Sequence, residues 1–170
     1  MTKRLALYNF GVFRQRAENP INDAWRDFHD PIMALIEKAP GFIARSGYDG
    51  DPGPHSWGTQ VYPRFYEERG DGWSPATLSL WQDLEFLFQF TYFGLHQKAF
   101  VGGKKWFERG GWPPYVLWWV EDDHTPDWAE GVLHFEHLHD HGPTAKAFNF
   151  KKPFDAAGLQ TSKPGKKSSA

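Results

Sequence analysis

The chain has no cysteine among its 170 residues. Disulfides, thiolate metal sites and cysteine nucleophiles are thereby excluded, and such a chain fits a reducing cytoplasm. It also lacks any apolar run long enough to cross a membrane, so no membrane partner is expected. Charge of one sign is not in excess. The formal net charge is −2, which gives no basic field for nucleic acid, and the Lys163, Lys166 and Lys167 cluster is too small to change this. There is no G-x-S-x-G elbow, and the glycines form neither a P-loop nor a dinucleotide fingerprint. Gly50-Asp51-Pro52-Gly53 and Gly102-Gly103 read as turn chemistry.

What the sequence has instead is rings. Aromatic residues make up 18% of it, with nine Trp and fifteen Phe, enough to stabilise a core or to line a pocket for a planar, greasy ligand. The length suits one domain with a substantial core. Met1 to Asn9 superficially resembles a signal peptide, but Asn9 breaks the apolar run and no small-residue cleavage site follows, so a first strand is the better reading. Residues 1–158 are expected to form the domain, and 159–170 a flexible basic tail.

Strand-favouring residues from Leu5 to Phe13 open the pattern. Ile21, Trp25, Phe28, Ile32, Leu35 and Ile36 then fall on one helical face. Pro31 removes a backbone donor, so a kink or restart capped by Asp30 is expected. Pro40-Gly41 ends this helix and Phe42 to Tyr48 reads as a second strand. Residues 49–75 form a long Gly-, Pro- and charge-rich stretch, with a short edge strand possible at Thr59–Tyr62. Stretches of this kind serve as binding loops, lids or mobile insertions. Ala76 to Trp81 is a third strand. Asp83 opens an aromatic helix running toward Ala99, and Gly102-Gly103 should break it. Tyr115 to Val120 is apolar throughout, as in a strand covered on both faces. Thr125-Pro126 starts a last helix, which Gly142-Pro143 ends, and Ala147 to Phe150 reads as a final short strand.

Strand, helix, strand, strand, helix, strand, with an extra C-terminal helix, is an α+β plan of the ferredoxin-like split βαβ kind. Its antiparallel sheet would carry helices on one face. The pattern shows no second layer for the other face, so a second copy packing sheet against sheet, a homodimer, is the simplest cover.

Histidine is the candidate chemistry, because its ordinary pKa lies nearest neutrality and it is the commonest metal ligand. On the last helix His134, His137 and His141 share one face. Only His137 and His141 have the chelating i, i+4 spacing, and no H-E-x-x-H arrangement occurs, so no metal is expected. They are either a solvated face opposite Trp128, Val132, Phe135 and Leu138 or substrate-contacting groups, and His139 points away. His96 lies in the most aromatic helix one turn after Tyr92, where it is a base, a haem ligand or a core histidine bonded to a carbonyl. His124 follows Asp122-Asp123 where a strand ends, a position that suits either a site residue or a turn cap. Asn9, polar within an apolar strand, needs a partner if buried, which can be a ligand or a neighbouring strand.

Tyr115 to Val120, His124-Thr125-Pro126, Glu136-His137-Leu138 and His141-Gly142-Pro143-Thr144 through Ala147-Phe148-Asn149-Phe150 together resemble the family catalogued as domain of unknown function 3291. Leu5 to Asn9, Pro40-Gly41-Phe42, Ser79-Leu80-Trp81, and His96 leading to Trp106-Phe107-Glu108 extend the likeness over residues 5–154. The resemblance implies a dimeric α/β barrel of a superfamily that includes cofactor-free monooxygenases of antibiotic biosynthesis, small cyclases and isomerases, and haem enzymes. His96, His124, His137 and His141 match the family pattern. Residues 49–75 and Pro31 depart from it.

The expectation is a small-molecule enzyme of secondary or aromatic metabolism working on a planar apolar substrate. His96, His137 or His124 would be its acid or base, with Asn9, Trp81, Tyr92, Trp119 and His141 about the substrate. No cofactor is required, and a substrate that forms its own stabilised carbanion suits a histidine base. A non-covalent haem protein ligated by His96 or His137, and a non-catalytic binding or dimerisation module, are the rival readings.

Overall fold

A computed structural model describes residues 2–67, 74–93, 97 and 103–165. Its strands are β1 (Lys3–Phe10), β2 (Phe42–Arg45), β3 (Ala76–Trp81) and β4 (Tyr115–Glu121). They form one sheet in the order β2-β3-β1-β4, every neighbouring pair antiparallel. This is the ferredoxin-like α+β order. Helices α1 (Asp23–Ile36), α2 (Arg64–Glu67), α3 (Leu84–Tyr92) and α4 (Trp128–His141) accompany it.

Side chains alternate across a strand, so each strand feeds two cores. Leu5 on β1, Leu117 on β4 and Trp81 on β3 bury toward one face, against Ile36, Leu87, Phe88, Phe148 and Phe150. Ala6, Tyr8 and Phe10 bury toward the other, with Leu78, Leu80, Val116 and Trp118. That second face is not bare. Trp128, Val132, Phe135 and Leu138 of α4 pack on it, and Tyr48, Trp57, Tyr62 and Phe65 extend the cover. The chain therefore supplies its own second layer, and the expectation of a second copy loses its premise.

Much of the long Gly/Pro-rich stretch is thus structural cover. Tyr48 stacks on Trp128 at 5.7 Å and donates its hydroxyl to the Ala76 carbonyl at 2.7 Å. The stretch is fastened to α4 by Arg64. Its backbone N–H donates to Glu136 at 2.7 Å, and its guanidinium reaches Glu136 at 3.1 Å and Asp140 at 2.6 Å. A planar fork suits such paired carboxylate contacts. No strand forms at Thr59–Tyr62.

Other boundaries shift for local reasons. α1 continues through Pro31 without a restart. Pro31 and Asp27, whose carbonyl loses its donor, are both exposed, so water can satisfy that carbonyl. β2 stops at Arg45 after a register irregularity between Phe42 and Ala44. The cap of α4 is Asp127, not Thr125, and its side chain accepts from the Glu130 N–H at 2.8 Å. Asp83 caps α3 as expected. Ala147 to Phe150 is no strand, although Phe148 exchanges two 2.9 Å backbone bonds with Leu117. Backbone bonding continues into the expected tail, where Thr161 donates to Pro153 at 2.9 Å.

If α4 is the inner cover of this face, truncating its buried ring should leave a large void. Phe135→Ala is expected to lower unfolding stability by roughly 3–5 kcal/mol in urea titration. Leu133→Ala, on the same helix but 66% exposed, should change it by no more than about 0.5 kcal/mol. Equal effects would show that α4 is not docked as described.

Candidate functional site

The turn between β4 and α4 builds the most connected polar cluster. Trp118 points toward α4 and is buried, so its indole N–H needs an internal acceptor. Glu130, in the first turn of α4, provides it. Trp118 Nε1–H donates to Glu130 Oε1 at 2.9 Å. A carboxylate is also well placed there with respect to the helix dipole. The chain leaves β4 through a turn in which His124 N–H bonds the Glu121 carbonyl at 3.0 Å. That turn brings His124 Nε2 to 2.6 Å from the other carboxylate oxygen, Glu130 Oε2. His124 Nδ1 has no hydrogen-bond partner among the described residues, and the imidazole is half exposed.

One turn along α4, His134 lies flat on Trp118, with ring centroids 4.6 Å apart and planes 18° from parallel. Its Nε2 is 3.9 Å from Glu130 Oε1, and its Nδ1 is buried, with the Lys146 backbone near the ring. Burial pushes its pKa down to about 4, outweighing the pull of Glu130. His134 is therefore neutral at pH 7 and leaves the carboxylate to His124.

His137 and His141 form a separate pair farther along the helix, stacked at 4.3 Å. His137 Nε2 lies 3.2 Å from Thr144 Oγ1, and His141 Nδ1–H donates to the His137 carbonyl at 3.2 Å. Burial first, then His141 and Lys146, lower the His137 pKa. His139 stacks on Trp112 at 3.8 Å beside Asp140. The expected three-histidine face thus divides in two, with His134 drawn to Glu130.

The expected substrate residues lie elsewhere. Asn9 Oδ1 accepts from the Thr77 N–H at 2.9 Å and the Thr77 hydroxyl at 2.7 Å, a cross-strand role. Trp81 is fully buried and donates to Ser79 Oγ at 3.0 Å. Trp119 Nε1–H donates to the Phe154 carbonyl at 2.8 Å. Tyr92 packs between Phe88 and Phe150, at 4.7 and 5.7 Å. Trp81, Tyr92 and Trp119 belong to the core opposite α4. Trp118, which contacts Glu130 and His134, belongs to the core on the α4 side of the sheet. His96 lies outside the described residues.

Sequence reading missed Glu130 and Trp118. The available signal was the Asp127-x-x-Glu130 spacing, a capping pattern that places an acid one turn inside the helix.

Among the described residues no group of three or more His, Asp or Glu side chains is arranged to hold a metal. A cavity of about 280 Å³ between α1 and α3 has no histidine among its described lining residues. His137 is engaged by Thr144 and His141.

The family model described as domain of unknown function (DUF3291) matches residues 4–164. The chain belongs to the DUF3291 family. Among solved structures, the hydroxynitrile lyase from Passiflora edulis is similar over 74% of this DUF3291 chain and 98% of its own, at 14% identity and a TM-score of 0.40. A likeness at that level transfers no chemistry. No curated protein matches the sequence significantly.

The buried imidazole carries a pH signature. Unfolded, His134 protonates near its ordinary 6.5, and folded only near 4. Above pH 6.5 both states are neutral and the group has no effect. Between 6.5 and 4 the unfolded state binds more protons, so stability falls as pH falls. At about 1.4 kcal/mol per pH unit the full loss is on the order of 3 kcal/mol. His134→Leu should remove that part of the decline in denaturant titrations from pH 7 to 4. Parallel wild-type and variant profiles would contradict the assignment.

Proposed function

We propose that this DUF3291 protein is a small-molecule enzyme whose acid–base group is His124, oriented by Glu130. The observation that carries the reading is the 2.6 Å contact between His124 Nε2 and Glu130 Oε2. It leaves Nδ1 of the same ring available to a substrate. A carboxylate on one imidazole nitrogen fixes the tautomer and stabilises the imidazolium that forms when the other takes a proton. Trp118 holds the carboxylate from behind through Oε1.

The reaction class follows from what these side chains supply. His124 removes a proton from a planar, mostly apolar substrate able to delocalise the resulting carbanion. Returning that proton to a different atom is an isomerisation, and internal capture of the carbanion is a cyclisation. Oxygenation would need dioxygen as co-substrate. No organic cofactor or metal enters any of these steps. We place the enzyme in the cytoplasm, in keeping with a cysteine-free chain, and a homodimer is not required by the site.

The test is a panel of aromatic ketones, phenols and 1,3-dicarbonyl compounds incubated with purified protein, with products followed by mass spectrometry. At least one should turn over. His124→Ala should lower kcat by about 10²–10⁴-fold. Glu130→Gln, which keeps an acceptor for Trp118 but removes the charge, should give a smaller loss. No turnover across the panel, or turnover that survives both substitutions, would contradict the proposal.

A further inference from the structure

The groove between α1 and α3 lies on the sheet's other face, away from His124 and Glu130. Among the described residues its apolar walls are Ile32 and Leu35 of α1, Ala39 and Pro40 past that helix, Phe90 of α3 and Phe93 just beyond it. It is open to solvent at one side. Leu35 remains 43% exposed, and Ile36 is the one buried residue of α1. Leu35 thus leaves apolar surface of α1 exposed along the groove. The volume of about 280 Å³ lies near the lower limit of small-molecule pockets, roughly 300–1,000 Å³.

One lining residue is not apolar. Lys38 stands at the rim, exposed and without a side-chain hydrogen bond or ion pair among the described residues. The acid beside it does not neutralise it, because the Glu37 carboxylate is held by Arg45 at 2.9 Å. The groove therefore offers an apolar trough of limited length with one uncompensated cation at its edge. Lysine behaves as such a rim charge, its stem lying along apolar surface while the ammonium stays in water.

We propose that this groove binds a short amphipathic carboxylate, with the apolar body against Leu35, Phe90 and Phe93 and the carboxylate on Lys38. The site is independent of the His124–Glu130 reading. An uncharged ligand of the same length would leave the ammonium unused, and a cationic one would be repelled by it. A second copy of this chain covering Leu35 is the competing occupant.

Octanoate, octanol and octylammonium, titrated into the full-length protein, separate these cases. The readout is the methyl NMR signals of Ile32 and Leu35, together with calorimetry and sedimentation over a range of protein concentrations. Saturable octanoate binding is expected, at least tenfold tighter than octylammonium. Lys38→Gln and Lys38→Glu should each weaken octanoate by about tenfold or more, without a matching loss for octanol, and Leu35→Asp should abolish both. Neither residue is buried, so the variants should fold, and wild-type urea midpoints for the Lys38 variants would confirm it. Equal binding of all three probes, no saturable octanoate binding, or octanoate binding unchanged by Lys38 substitution would overturn the proposal. So would concentration-dependent self-association that Leu35→Asp removes while octanoate fails to bind.

Discussion

Tyr8 is enclosed by the helix that crosses it. Trp128 and Phe135 meet its ring edge-on at 6.3 and 5.5 Å. Between them on α4 lies Gly131, where an added Cβ would stand 3.0 Å from the Tyr8 ring. The absence of a side chain at Gly131 lets the helix approach β1 closely, and the flanking rings fix where along the strand it sits. Interiors packed to this closeness tolerate little sliding. With α4 held there, the positions of its polar residues are no longer free. Glu130 comes over Trp118, His134 comes flat onto the indole, and Glu136 and Asp140 come within reach of Arg64.

A structural requirement and a chemical opportunity therefore meet at one carboxylate. A buried indole N–H left without an acceptor costs about 1–3 kcal/mol, and Glu130 removes that cost through Oε1. Its second oxygen is then directed at the β4–α4 turn, where His124 waits. Nothing in the packing demands a histidine at that turn, since Glu130 is only partly buried and water could satisfy Oε2. Burial keeps the second imidazole, His134, out of competition for the charge. Two histidines beside one acid are thus placed differently, His134 buried against the indole and His124 half exposed at the turn.

The strands and their order were legible because their signals are local. β3 begins and ends where the run Ala76–Trp81 does, and the unbroken apolar run from Tyr115 announced a strand covered on both sides. Asp83 was readable as a cap from its place before an aromatic helix. The cover of the second face was not legible. Its inner layer is α4, but the part beyond that helix is made by Tyr48, Trp57, Tyr62 and Phe65, which share no single period, and by an arginine whose partners lie 72 and 76 positions away. Periodicity reports secondary structure and is silent about irregular chain that packs by its rings. The same limit applies to the site. His124 could be suspected from its place at a strand end, but its partner depends on where the cap falls. Moving the cap from Thr125 to Asp127 puts Glu130 in the first turn, where its side chain can reach back to β4.

The claim on which the functional account rests is that Glu130 holds His124 by Nε2 and leaves Nδ1 free. Long-range proton–nitrogen NMR of the neutral imidazole, recorded in alkaline buffer, reads this directly. The account predicts a single tautomer for His124, protonated at Nε2 with Nδ1 bare, and loss of that preference in Glu130→Ala. An averaged pair of tautomers in the wild type, or a proton on Nδ1, would contradict it.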